Sequence, residues 1–336
     1  MINILRKLLL PFVPFYYIIV WVRNKLYDLG LKKSVAYDFP IIAVGNLSVG
    51  GTGKSPMIEY LIEVLKDRVN LATLSRGYKR STKGFHEVTM LSKAIEVGDE
   101  PLQFKKKFSD VTVAVDADRR NGIAKLRELV PQPELVLMDD AFQHRKVNAG
   151  IYILLTTYSD LYVNDIVLPT GGLREPRNGA KRADIVIVTK SPIEISEEER
   201  KRIKESLNLQ QRQYLFFTSI DYKKQIISKS GEKSIDALRG VFFTLVTGIA
   251  NPTPLLNYYK SLGLQFDHIG FPDHHNFTNT ELEKLRKLPF IVTTEKDYMR
   301  LITDAPDINL WYQPIEVKFV SESDLFKNLI IDYIKK

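Results

Sequence analysis

The chain is patterned as short apolar runs separated by polar, glycine-bearing turns and by stretches of helical periodicity. Runs at 39–44, 71–74, 111–115 and 135–138 have the length of strands buried on both faces, and helical stretches such as 56–66 fall between them. That alternation continues to about residue 190 and predicts a parallel sheet covered by helices on both sides. A charged helix at 196–207 follows, then a two-stranded connection at 213–220 and 224–228, then a second α/β stretch with strands at 241–247 and 290–294.

Ahead of all this stands a fifteen-residue apolar run, 8–22, bounded by Arg6 and Lys7 on one side and by Arg23 and Lys25 on the other. A spanning helix needs about 20 residues, and Pro11 and Pro14 weaken the first part of this one. No small-residue cleavage pattern follows it. Phe12, Phe15, Tyr16, Tyr17 and Trp21, with basic residues at both ends, suit a helix over 1–30 lying among lipid headgroups. The competing reading is a buried core helix.

Composition narrows the chemistry. With 44% hydrophobic and 26% charged residues the chain is of the folded globular kind, and 336 residues suit about two cores. The absence of cysteine removes disulfides and thiolate sites, leaving oxygen, nitrogen and phosphate chemistry. A net charge of +8 favours an anionic partner, although solubility alone accounts for such an excess equally well. The basic residues are scattered without an aromatic-basic repeat, which argues against nucleic acid.

The strand at 39–44 runs into Gly45-Asn46-Leu47-Ser48-Val49-Gly50-Gly51-Thr52-Gly53-Lys54-Ser55, and Pro56 opens a helix. Strand, glycine-rich loop and helix N-terminus present backbone N–H groups and a positive dipole end to phosphate oxygens. Ser48 stands where the common phosphate-loop pattern has Gly; Ser48, Val49, Gly50, Gly51, Thr52 and Gly53 form the cradle, Lys54 reaches the β- and γ-phosphates, and the Ser55 hydroxyl binds Mg²⁺. Asp139 and Asp140 end the strand at 135–138, where such enzymes hold the metal, though paired acids also begin turns. We therefore expect a P-loop α/β/α sandwich over 31–212, a two-stranded linker at 213–230 and a smaller α/β domain over 231–336. Arg76 and Arg119 follow two other strands and are candidates to converge on the same phosphates. Gly98-Asp99-Glu100-Pro101 precedes a helix, where the ordinary role is capping. Arg174 and Glu175 sit in a rigid turn, and His274 and His275 are adjacent in another, where a surface loop without chemistry is the plain alternative.

Taken in order, VGNLSVGGTGKSP, SRGY, GDEP, DDAFQH, LPTGGLREP, FPDHH and TTEKD, spread over residues 44–297, resemble the tetraacyldisaccharide 4′-kinase family. The resemblance implies transfer of the γ-phosphate of ATP, with Mg²⁺, to the 4′-hydroxyl of an acylated glucosamine disaccharide 1-phosphate. It implies a monomer at the cytoplasmic face of the bacterial inner membrane. It also implies that Asp99 is the catalytic carboxylate, that His274 pairs with it, and that Arg76, Arg119, Arg174 and Glu175 are active-site residues. Ser55 replaces a Thr common in the family and keeps the hydroxyl; Ala141 replaces a common Gly. The rival reading is a membrane-attached nucleotide switch, but Val49 occupies the place of that group's signature lysine, and Thr189-Lys190-Ser191-Pro192 lacks the Asp that guanine recognition uses.

Overall fold

The computed structural model describes residues 4–273 and 275–335. Its strands, in chain order, are β1 (Ile41–Asn46), β2 (Leu71–Ser75), β3 (His86–Glu87), β4 (Thr112–Val115), β5 (Leu135–Met138), β6 (Ile151–Thr157), β7 (Ile185–Thr189), β8 (Tyr214–Tyr222), β9 (Gln225–Ser228), β10 (Gly231–Ser234), β11 (Phe243–Thr247), β12 (Phe266–Gly270), β13 (Ile291–Thr294), β14 (Leu310–Gln313) and β15 (Ile315–Phe319). Among the described residues they form a nine-stranded sheet, ordered β15-β8-β7-β6-β1-β5-β2-β4-β3, and a six-stranded sheet, ordered β10-β9-β14-β13-β11-β12.

The first sheet is parallel from β8 to β4, with antiparallel strands β15 and β3 at its edges. Every residue of β1 is buried, as a central strand covered on both faces requires. The helix Lys54–Leu65 buries Met57, Ile58, Leu61, Ile62 and Leu65, the stripe expected of a helix lying on a sheet. Because these strands run the same way, the segments that leave β1, β2, β4, β5 and β7 all emerge on one edge.

The boundaries anticipated from sequence shift in two places. The pair at 213–230 is not one ribbon: β8 joins the first sheet and β9 the second. The C-terminal segment returns to the first unit, where β15 pairs with β8 and the helix Ser323–Ile334 sets Phe326 and Ile330 into the core beside Ile42 and Leu61. Tyr333 seals this return, its hydroxyl donating to Ile41 O at 3.2 Å and accepting from Ile41 N at 3.1 Å, in space that exists because residue 150 is glycine. A hydrophobic run could not reveal which sheet it joins.

Near the N-terminus a 3₁₀ turn, Leu10–Phe12, leads into the helix Val13–Asp28, which has no buried residue. Val13 and Tyr16 pack against the first unit, while Leu8, Phe15 and Ile19 are each more than two-thirds exposed. That outcome is against the buried-helix alternative. At 16 residues the helix is about 24 Å long, and no helix among the described residues is long and apolar enough to cross a membrane.

The units are joined by a charged seam. Lys107 lies 2.6 Å from Glu59 of the helix Lys54–Leu65 and 3.5 Å from Glu295 of the second unit. Both Glu295 oxygens are buried without a hydrogen-bond partner among the described residues. Burial, reinforced by the charge of Glu59, raises the Glu295 carboxyl to about 8.

Two outcomes follow. Phe326→Ala should cost about 3–5 kcal/mol, read as a lowered midpoint in urea unfolding. Glu295 binds its proton more tightly folded than unfolded, so stability falls as pH rises from its ordinary value of 4.5 through about 8. Glu295→Gln should therefore raise the melting temperature above pH 8, with the gain shrinking toward pH 5 in a series of thermal melts.

Candidate active site

A cleft of ≈ 1630 Å³ opens at the shared edge of the first sheet and is closed on its far side by the second unit. The loop after β1 forms its floor. Gly53 adopts φ +85, a left-handed turn that opens the helix beginning at Lys54. Two strand ends brace the loop: Thr189 Oγ1 donates to Thr52 O at 2.8 Å, and Lys190 Nζ donates to Gly51 O at 2.7 Å. On the other side Val49 N donates to Gly172 O at 2.7 Å and Arg174 N to Leu47 O at 2.7 Å, so LPTGGLREP runs beside the loop as a short strand. Val49 to Ser55 line the cleft, and Ser48 is buried in its bridge to Leu173.

Carboxylates gather above this floor. Asp140, in the left-handed region at φ +46, is gripped by Arg174 at 2.8 and 3.0 Å and lies 3.7 Å from Lys54 Nζ. Asp139 is buried; Ser75 donates to its Oδ2 at 3.3 Å, while its Oδ1 has no hydrogen-bond partner among the described residues. Burial, with the charges of Glu100 and Asp140, raises the Asp139 carboxyl to about 7. Arg119, also buried, donates to the backbone oxygens of Asp116 and Asp139 at 2.9 and 3.1 Å. Arg76 is exposed on the cleft wall.

The GDEP turn supplies Asp99 and Glu100 at the start of the helix Asp99–Lys107. Glu100 Oε1 accepts from Ser55 Oγ and from Lys296 Nζ, each at 2.6 Å. Burial opposes its charge, but Lys296, Ser55 and Lys54 outweigh that and hold the carboxyl at about 2. Asp99 Oδ2 accepts from Arg300 Nε at 2.8 Å. Lys296 and Arg300 belong to the helix Glu295–Asp304 of TTEKD, so the second unit reaches the cleft through that motif.

Glu175 lies behind the wall. Its carboxylate accepts from Asn24 at 2.8 Å, Gln143 at 3.0 Å and Arg182 at 2.8 and 2.9 Å, and Gln143 also donates to Asn46 O at 2.8 Å. Tyr16 donates to Arg174 O at 2.9 Å and Arg23 to Gln143 O at 2.9 Å, so the apolar N-terminal helix is bonded directly to active-site loops.

Of the residues anticipated from sequence, Val49 to Ser55, Arg76, Asp99, Arg119, Asp139, Asp140 and Arg174 meet in one cleft. Ser48 and Glu175 support it from behind. His274 lies outside the described residues; its neighbours Asp273 and Asn276 line the cleft, while His275 is stacked on Phe271 and bonded to Glu281 at 2.9 Å. Sequence reasoning passed over Glu100, Lys296, Arg300 and Gln143. Glu100 and Lys296 sit inside motifs already visible as GDEP and TTEKD, but nothing local tells a cleft carboxylate from a helix cap.

The acidic cluster suits a hard divalent cation: Asp139 offers an unpartnered oxygen, with the Ser55 hydroxyl and Glu100 beside it. Among the described residues no three acidic or histidine side chains form a cage of their own. Mg²⁺ is commonly held that way, by one or two carboxylates with substrate phosphates completing its shell.

Comparison with known proteins matches this geometry to one group. Residues 5–335 match the family described as LpxK: Tetraacyldisaccharide-1-P 4'-kinase. A tetraacyldisaccharide 4′-kinase of Flavobacterium johnsoniae is 48% identical, covering 99% of this chain and 98% of its own, and that of Bacteroides thetaiotaomicron is 41% identical over 99% and 94%. The crystal structure of the "apo" form of LpxK from Aquifex aeolicus, in complex with ATP, superposes with a TM-score of 0.79 at 31% identity, over 98% of this chain and 100% of that one. By family match, identity and fold alike, the chain belongs to the tetraacyldisaccharide 4′-kinase family.

Proposed function

We propose that this protein transfers the γ-phosphate of ATP to the 4′-hydroxyl of a tetraacyldisaccharide 1-phosphate, working at a membrane surface. The observation that carries the reading is the meeting of a phosphate loop, an acidic cluster and Asp99 in one cleft to which the apolar N-terminal helix is bonded.

The loop residues 48–53 present N–H groups and a helix dipole to the phosphates, and Lys54 exchanges Asp140 for β- and γ-oxygens. Ser55 and Asp139, with Glu100, would hold Mg²⁺, which would supply positive charge against the phosphates. Asp140 in this reading orients Lys54 and Arg174 more than it binds metal, since both cations already hold it. Asp99 accepts the proton of the 4′-hydroxyl as its oxygen bonds to the γ-phosphorus and the bond to the β-phosphate oxygen breaks, releasing ADP. Arg300 fixes the direction in which Asp99 presents its carboxylate. His274 tunes that proton's path, a role supported by the cleft positions of Asp273 and Asn276. Arg76, Arg119 and Arg174 offset charge on the transferring group. Glu175 acts as a positioning residue, holding Gln143 and Arg182.

The helix Val13–Asp28, apolar outward and flanked by basic residues, lies in the headgroup layer, where the sugar is exposed and its acyl chains stay in lipid. We place the kinase, as a monomer, on the cytoplasmic face of the inner membrane.

Purified protein with ATP, Mg²⁺ and the acylated disaccharide 1-phosphate should yield the bisphosphate; brisk ATP hydrolysis indifferent to that lipid would favour a nucleotide switch instead. Asp99→Ala should lower kcat at least ~100-fold with nucleotide binding kept, the usual scale for removing a general base. Lys54→Ala should also be nearly inactive. Deleting residues 1–22, or introducing Phe15→Glu with Ile19→Glu, should move the protein from vesicle-bound to free in flotation assays; unchanged binding would assign the helix a purely structural role.

A further inference from the structure

Lys296 has no part in the chemistry above, yet its amine stands within the acidic cluster. Nζ lies 2.6 Å from Glu100 Oε1, the same oxygen that accepts the Ser55 hydroxyl. Ser55 and Glu100 belong to the first unit and Lys296 to the second. The amine is delivered by a fixed element. Thr294 caps its helix, and buried Asp297 accepts from Gly248 N at 2.8 Å, Thr294 Oγ1 at 2.7 Å and Arg300 at 3.1 Å. Arg300 in turn binds Asp99. Asp139 and Asp273 also contribute favourable charge at Lys296.

We propose that Lys296 is an internal stand-in for the divalent cation: in the nucleotide-free protein it neutralises the carboxylate beside Ser55 that later helps hold Mg²⁺, and it keeps metal out until a nucleotide brings it. The inference rests on the metal reading given under Proposed function. An ammonium at 2.6 Å and a metal ion at about 2.1 Å cannot share one carboxylate oxygen without strong mutual repulsion. A triphosphate supplies oxygens to which the displaced amine can turn, so metal and nucleotide enter together. The amine and the metal are thus coupled, and the coupling is reciprocal: whatever removes the amine must strengthen metal binding to the empty site.

Mn²⁺, followed by its electron paramagnetic resonance signal, tests this on the full chain without nucleotide. Lys296→Met should bind Mn²⁺ about ten-fold more tightly than the unsubstituted protein, a coupling of ordinary size, whereas Lys296→Arg should bind it as weakly as the unsubstituted protein does. Unchanged or weaker binding by a folded Lys296→Met, checked by circular dichroism, would overturn the proposal, as an ionic latch between the units predicts no gain. The unsubstituted protein carries a second test. Saturating Mn²⁺ alone should raise the acetylation rate of Lys296 in pulse labelling read by peptide mass, and a rate that does not change would also overturn it. Mn²⁺ binding with a non-hydrolysable ATP analogue separates the two levels: its absence in the unsubstituted protein sinks the metal reading itself, while normal binding there beside an unaltered Lys296→Met sinks only the role of the lysine.

Discussion

The cleft is organised around negative charge that would be costly to bury alone. Asp139, Asp140 and Glu100 come from two separate turns of the first unit; Asp139 is buried, the other two are partly exposed, and cations or hydroxyls meet each of them. The partners arrive from distant parts of the chain: Lys54 from the phosphate loop, Arg119 from the turn after β4, Arg174 from LPTGGLREP and Lys296 from TTEKD. Charge compensation thus ties the phosphate loop, its lateral wall and the second unit to one another. The unpartnered oxygen of Asp139 is the place where that compensation is incomplete.

Much of this was legible in the sequence, and the reason is local. A phosphate loop is built from consecutive residues between a strand and a helix, so Gly50 to Ser55 could be read without knowing what lay across from them. Strand cores at 71–74 and 135–138 were equally plain because burial on both faces leaves unbroken apolar runs. What depended on long-range contact was not legible. Glu100 looks like an N-terminal helix acid until Ser55 and Lys296 are found on its oxygen, and Glu175 looks like an active-site acid until three donors are found around it behind the wall. The return of β15 to the first sheet was hidden for the same reason, since its partner β8 precedes it by nearly the whole second unit.

The N-terminal helix is a participant in the cleft's architecture as well as an apolar surface. Through Asn24 and Glu175 it reaches Gln143, and through Gln143 the backbone of Asn46 at the root of the phosphate loop. Tyr16 holds the backbone of Arg174, whose guanidinium grips Asp140. The exposed apolar face of the helix and the loops that line the cleft therefore share a set of hydrogen bonds only a few residues long.

The return of the C-terminal segment has a consequence for how the protein is made. The second sheet uses residues 225–313 alone and has all its strands once they have left the ribosome. The first sheet, begun at residue 41, lacks its edge strand and the core side chains Phe326 and Ile330 until residues 315–330 have emerged. The first unit thus cannot complete its sheet before the second has been synthesised, unlike the usual vectorial order in which an amino-terminal domain folds first. The first unit therefore has an unfinished core and an open sheet edge throughout the synthesis of the second, until β15 and the helix Ser323–Ile334 are available.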